Sequence, residues 1–216
     1  MPDSQVLFYM VSLIYGSAVL LHLVRKNTYL VWIFILQSAA TAAILMTIGV
    51  GEGSGGLIMT SILTLVVKAV LAPYFFLRLI SKQKIVFSVT TYLNLPLTLC
   101  VILAITVLSG SKALIPLATL SPRGAPFVQV AAAGMLCSIF LMINRRGALS
   151  QIIGVLSLES CIVAIGSFIR IHESFGLQIG ITFDLVVWII IATVFVTRIH
   201  REFGTLDVTA MKKLKE

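Results

Sequence analysis

The chain has 216 residues, 59% of them hydrophobic and 11% charged, with a mean hydropathy of +1.08. This composition excludes an ordinary soluble domain and points to a membrane. The formal net charge of +8 does not indicate nucleic acid, because the basic residues fall at the ends of apolar runs, where they mark membrane boundaries; the expected surroundings are the lipid bilayer.

A helix needs about 20 apolar residues to cross the hydrocarbon core, and seven stretches meet that need: 5–24, 29–50, 57–80, 85–108, 126–143, 148–170 and 177–199. The expected fold class is therefore all-α, a polytopic membrane protein of about seven transmembrane helices. The first stretch follows Asp3 with no Lys or Arg before it, so it lacks the basic n-region of a secretory signal and is expected to stay in the mature protein. Between stretches lie Arg25-Lys26-Asn27, Gly51 to Gly56, Ser81 to Lys84 and Asn144 to Gly147. A longer loop, 109–125, carries Pro116, Pro122 and Gly124. It divides the chain into a four-helix part (1–108) and a three-helix part (126–200), followed by a tail (201–216). One side holds twelve basic residues, including Arg25, Lys26, Arg145, Arg146 and those of the tail; the other holds Lys112, Arg123 and Arg170. That skew places the N-terminus outside and the C-terminus in the cytoplasm.

The third stretch contains Lys68. A charge near mid-membrane costs at least ~2.5 kcal/mol on insertion scales unless it is paired or hydrated. Ser61, Thr64 and Ala72 share its face, a small and polar stripe that should meet other helices. Pro73 lacks an N–H, frees the carbonyl of Ala69 and is expected to kink the helix beside the lysine. Together they point to a hydrated, deformable site on a proton path, with Lys68 a charge whose pairing shifts during turnover; the alternatives are a lysine that locks two helices through one carboxylate, or one that snorkels to an edge. In the fourth stretch, Pro96 frees the carbonyl of Tyr92 and the amide of Asn94 is available to it, an arrangement suited to packing or a kink.

Glu159 lies near the middle of the sixth stretch, with no neutralising group in its own helix. Burial and a neighbouring cation pull its proton affinity in opposite senses, a balance that can poise a carboxyl for proton exchange. The alternative is a neutral acid donating a hydrogen bond between helices. Gly166 shares its face and is expected to admit a neighbouring helix closely. Asp184, a third of the way into the last stretch, is either a second proton station or a structural tie to Arg170. Arg145 and Arg146 read most simply as topology anchors. Residues 205–215 are expected to form a short helix, either docking on a peripheral protein or lying at the anionic leaflet.

No catalytic centre, metal site or cofactor site is expected in this chain. Cys100, Cys137 and Cys161 read as packing residues, the three histidines are scattered, and no phosphate loop or nucleophile triad occurs. A retinal pigment would need a lysine in the last stretch, and none lies between Leu177 and Thr197.

The segment Leu65 to Leu71 with Pro73, Arg146 followed by Gln151 to Gly154 and Glu159, Thr182-Phe183-Asp184, and the tail Gly204 to Val208 together resemble hydrogenase-4 component E. That family provides a membrane subunit of formate hydrogenlyase-type group 4 hydrogenase complexes. Residues 126–200 are also similar to the complex I K subunit and the antiporter C subunit, whose second and third helices each carry an acid on the proton path. Glu159 and Asp184 occupy the matching positions. The chain departs from that pattern in its second acid, Asp rather than Glu, in the short interval between the acids, and in Ser160-Cys161 after the first. The resemblance implies an inner-membrane subunit of a complex I-like oxidoreductase complex that contributes to proton or ion translocation and assembly. Its partners would be antiporter-like membrane subunits and peripheral subunits with iron-sulfur or nickel-iron centres. A stand-alone ion or small-molecule transporter, or a purely structural assembly subunit, is the other expectation. The four-helix and three-helix parts show no repeat of the kind on which many carriers are built.

Overall fold

A computed structural model describes residues 4–82, 91–111, 116, 121 and 124–169, and every described element is helical. In chain order these are α1 (Ser4–Leu23), α2 (Asn27–Glu52), α3 (Gly55–Thr64), a π-helical turn (Leu65–Leu71), α4 (Ala72–Lys82), α5 (Leu95–Ser109), α6 (Ala125–Asn144) and α7 (Ala148–Ile169). Five spans are long and apolar enough to cross a membrane: α1, α2, the continuous stretch Gly55–Arg78, α6 and α7. The shorter α5 is also apolar. The expected seventh stretch 177–199, with Asp184, and the tail 201–216 lie outside the described residues, as does Arg170.

α2 runs further than its apolar stretch, through Glu52, and ends where Gly53 adopts a left-handed conformation (φ 65°). There Ser54 N–H bonds to Gly49 O at 2.9 Å, closing the last carbonyls of the helix. Ser54 then caps α3, its hydroxyl accepting from Leu57 N–H. The result is a tight antiparallel hairpin in which Gly49 lies against Ile58; an added Cβ would sit 3.0 Å from the Ile58 backbone nitrogen.

Two expectations about proline are corrected. Pro96 does not kink a long helix: α5 begins at Leu95, with Asn94 as its N-cap residue and Pro96 in the first turn, where a missing N–H leaves no ladder bond unmade. The Asn94 side chain makes no capping bond; its backbone carbonyl accepts from Thr98 N–H and Thr98 hydroxyl at 2.9 and 3.1 Å. Ahead of Pro73, the helix widens into the π-turn rather than simply kinking: Ala72 N–H bonds to Val67 O, five residues back. Lys68 lies inside that turn.

Among the described residues the two larger of three apolar cores stack along the bundle. One gathers Leu7, Val11 and Ile14 of α1, Ile44 and Ile48 of α2, Val128 of α6 and Phe168 of α7. The other gathers Leu30 and Phe34 of α2, Val67, Phe76, Leu141 of α6 and Ile153 of α7. Both draw on helices from either side of the 109–125 loop, so the two expected parts share their interior. Gly154 lets α7 approach α6, a Cβ there meeting Met142 Cγ at 2.7 Å. At Gly166 a Cβ would meet nothing within 4 Å among the described residues; among these the close approach of α7 is at Gly154, and the expected last stretch lies outside them.

Candidate functional site

Between the two cores runs a layer of polar side chains at mid-span. α2 contributes Gln37, the π-turn Lys68, α6 Ser138, and α7 Ser157, Glu159 and Ser160. Gln37, Ser138, Ser157 and Ser160 are fully buried and Lys68 is 4% exposed. Ser61, Thr64 and Ala72, on the same helical face as Lys68, are buried as well, and Ser61 hydroxyl donates to Ala42 O of α2 at 2.7 Å. This stripe turns Lys68 into the bundle because an interval of three or four residues returns to the same side of a helix.

Lys68 Nζ lies 3.1 Å from Glu159 Oε1, with side-chain exposures of 5% and 26%. It also donates to Ser160 hydroxyl at 3.2 Å, which donates in turn to Leu156 O at 3.0 Å. Thus the cation reaches one charged and one neutral acceptor, while the Glu159 side chain keeps about a quarter of its surface exposed. Removing either partner would leave a charge in a low-dielectric setting, the arrangement in which loss of one member is most damaging.

Beside the pair, Gln37 Nε2 donates to Ser157 hydroxyl at 2.8 Å and points at Cys161 Sγ, 3.8 Å away. Ser157 and Ser138 hydroxyls are 2.8 Å apart, and Ser138 donates to Gly134 O. Gly134 is needed here because a Cβ would come within 3.0 Å of Cys161 Sγ. The layer therefore links α2, α6 and α7 through neutral hydrogen bonds and the π-turn to α7 through a charged one. Protons can be held at Glu159 and moved among hydroxyls; nothing in the set is a nucleophile activated by a base. Among the described residues no group of three His, Cys, Asp or Glu could hold a metal ion.

A second polar cluster sits at the end of the bundle where α1 stops. Arg145 is 1% exposed, and its guanidinium donates to Leu21 O, and to Val24 O at 2.9 Å. It closes the end of α1, so Arg145, expected as a topology anchor, also has a buried structural role; the side chain is drawn inward by carbonyls that the helix terminus leaves unpaired. Burial pushes the guanidinium down to about 10, which leaves it charged at neutral pH. Arg146 instead stacks over the Tyr92 ring at 4.5 Å. Asn144 ties the chain ahead of α5 to this corner, its amide accepting from Leu93 N–H and donating to Thr98 hydroxyl. His22 ring Nε2 is 3.0 Å from Cys137 O, and the ring stacks on Phe140.

Of the residues singled out in the sequence, the fold joins Lys68 to Glu159 and lines Ser61 and Thr64 along the same face. It places Asn94 elsewhere, at the start of α5. Cys137 and Cys161 are buried but Cys100 is exposed, so Cys100 is not a packing residue within this chain. Gln37 escaped the sequence reading, although a lone glutamine inside an apolar run of that length is itself a signal of a buried polar partner.

The chain is similar over most of its length to the uncharacterized protein Rv0085 of Mycobacterium tuberculosis (strain ATCC 25618 / H37Rv). The two are 26% identical over 182 residues, 83% of this chain and 82% of that one. No family model matches the chain, and no solved structure matches it.

Proposed function

We propose that the chain is a membrane-arm subunit of a complex I-related group 4 hydrogenase or formate hydrogenlyase-type complex, in which it contributes to ion translocation and assembly. In this reading it crosses the inner membrane seven times, N-terminus outside, and the redox chemistry belongs to partner subunits. The observation that carries the reading is the Lys68–Glu159 pair at 3.1 Å in mid-span, with Glu159 26% exposed. A carboxylate open to the outside of the bundle at that depth is a poor surface for hydrocarbon and a suitable one for a neighbouring subunit to cover. The resemblance to hydrogenase-4 component E supplies the kind of complex. Glu159 would hold the transferred proton, Lys68 would stabilise the carboxylate when the proton has left, and Asp184 would be a second station.

One observation favours a plainer role within the same complex. Ser160 and Glu159 together give Lys68 two acceptors, which is what a fixed lock between the π-turn and α7 would also need.

Purification of a tagged chain from its native membrane in mild detergent, followed by mass spectrometry of the co-purifying proteins, tests the assignment. The expected result is recovery of antiporter-like membrane subunits together with iron-sulfur or nickel-iron subunits. Recovery of the chain alone, or only as a homo-oligomer, would overturn it in favour of a stand-alone transporter.

A further inference from the structure

The ion pair does not use the whole polar layer. Gln37 Nε2 is committed to Ser157 and Cys161, which fixes the amide and leaves its carbonyl Oε1 buried without a hydrogen-bond partner among the described residues. A buried acceptor left unpaired carries its full desolvation penalty, so native interiors rarely keep one without a reason. A lysine ammonium has three N–H donors; Glu159 and Ser160 account for two.

The register of the α2–α3 hairpin brings these groups to one level. Ser61 bonds to Ala42 across the two antiparallel helices. The same number of residues forward from Ser61 and back from Ala42 places Lys68 opposite Ile35, within one turn of Gln37. Both side chains then reach the same stretch of α7: Lys68 bonds to Ser160, Gln37 to Ser157 and Cys161. The Cys161 thiol, in contact with Gln37, is also within electrostatic reach of Lys68.

We propose that Gln37 is the second seat of the Lys68 ammonium: the lysine swings on its four-carbon stem between Glu159 and the carbonyl Oε1 of Gln37. The proposal rests on the proton-station reading of the pair and gives that station its switch. Lys68 stays protonated throughout and only its acceptor changes. With the ammonium on Gln37, the Glu159 carboxylate takes up one proton; with the ammonium returned, Glu159 releases that proton. Ser157 and Ser138 hold the Gln37 amide with its carbonyl available, and Ser160 is the pivot that Lys68 keeps in either position.

The test reads Glu159 directly, on the full chain in lipid nanodiscs, by infrared spectroscopy across a pH series. The C=O stretch of protonated Glu159 is identified as the band lost in Glu159→Gln. Gln37→Met keeps the length and shape of the side chain without an acceptor. It should lower the protonated-to-ionised ratio of Glu159 at a given pH by at least about tenfold, the loss of one hydrogen bond to a charged group. If that variant does not fold, Gln37→Asn, which keeps the amide but draws it back by one methylene, should move the band in the same direction. An unchanged band in a folded variant overturns the second seat and makes Gln37 a bridge between α2 and α7. A wild-type chain with no protonated Glu159 band at any pH where it stays folded overturns it too. Failure of the wider reading looks different: Glu159→Gln would leave ion translocation by the complex intact while Gln37→Met still moved the band.

Discussion

Lys68 and Glu159 were both visible in the sequence as ionisable groups inside apolar runs, but their partnership was not. It joins the π-turn to α7 across most of the described chain, and depends on packing that no local pattern encodes. The pair makes a specific energetic prediction. Lys68→Met and Glu159→Gln should each destabilise the chain by about 3 kcal/mol: the first leaves a partly exposed carboxylate, while the second keeps a hydrogen-bond acceptor but leaves the buried Lys68 ammonium without its counter-charge. The double variant Lys68→Met with Glu159→Gln should be more stable than either single variant, because neither charge of the pair remains in the bundle. Thermal unfolding in detergent checks this; a double variant whose loss equals the sum of the two single losses would mean that the two groups are not coupled. Arg145 teaches a related lesson. Its neighbour Arg146 and the loop around it suggest a surface charge, yet the open carbonyls of α1 draw it inside. Arg145→Leu should lower stability by about 2–3 kcal/mol and speed proteolysis after α1. Arg145→Lys should recover only part of that, having lost the planar fork of the guanidinium.

At the scale of elements, the long spans were legible because a run of apolar residues of sufficient length has few other uses. Their ends were less so where a proline or glycine admits two readings. Pro96 follows more apolar residues, so the sequence pattern extends back to residue 85, whereas the described helix starts at Leu95 with the proline in its first turn. The widened turn around Lys68 was foreshadowed by Pro73, but a missing N–H alone does not distinguish a kink from a π-turn. Contact between α6 and α7 depends on Gly154, against which Met142 packs. Gly154→Val should therefore cost about 1–3 kcal/mol, as overpacking does, while Gly166→Val, whose Cβ meets nothing within 4 Å among the described residues, should cost less. Equal losses in a thermal-shift comparison would show that Gly154 does not set the approach of the two helices.

At the scale of the whole molecule, two apolar cores enclose a polar layer shared by α2, the π-turn, α6 and α7. Its charged end includes the partly exposed Glu159, and its neutral members Gln37, Ser138 and Ser157 are fully buried. In the proposed function this arrangement holds a proton at Glu159 and offers the carboxylate to a second membrane subunit. The sequence located the charged members because Lys and Glu are rare at such depth; it missed Ser138 and Ser157, because hydroxyl residues are common in membrane helices, and passed over Gln37, whose lone amide was a signal. The most direct test of the account is proton translocation by the intact complex in sealed vesicles, comparing wild type with Glu159→Gln while redox turnover is followed in parallel. The account predicts that translocation per electron falls by about tenfold or more, the scale of losing a group that transfers protons, with subunit composition unchanged and redox turnover continuing. Translocation at the wild-type ratio in that variant would contradict it and leave the Lys68–Glu159 pair as a lock between helices.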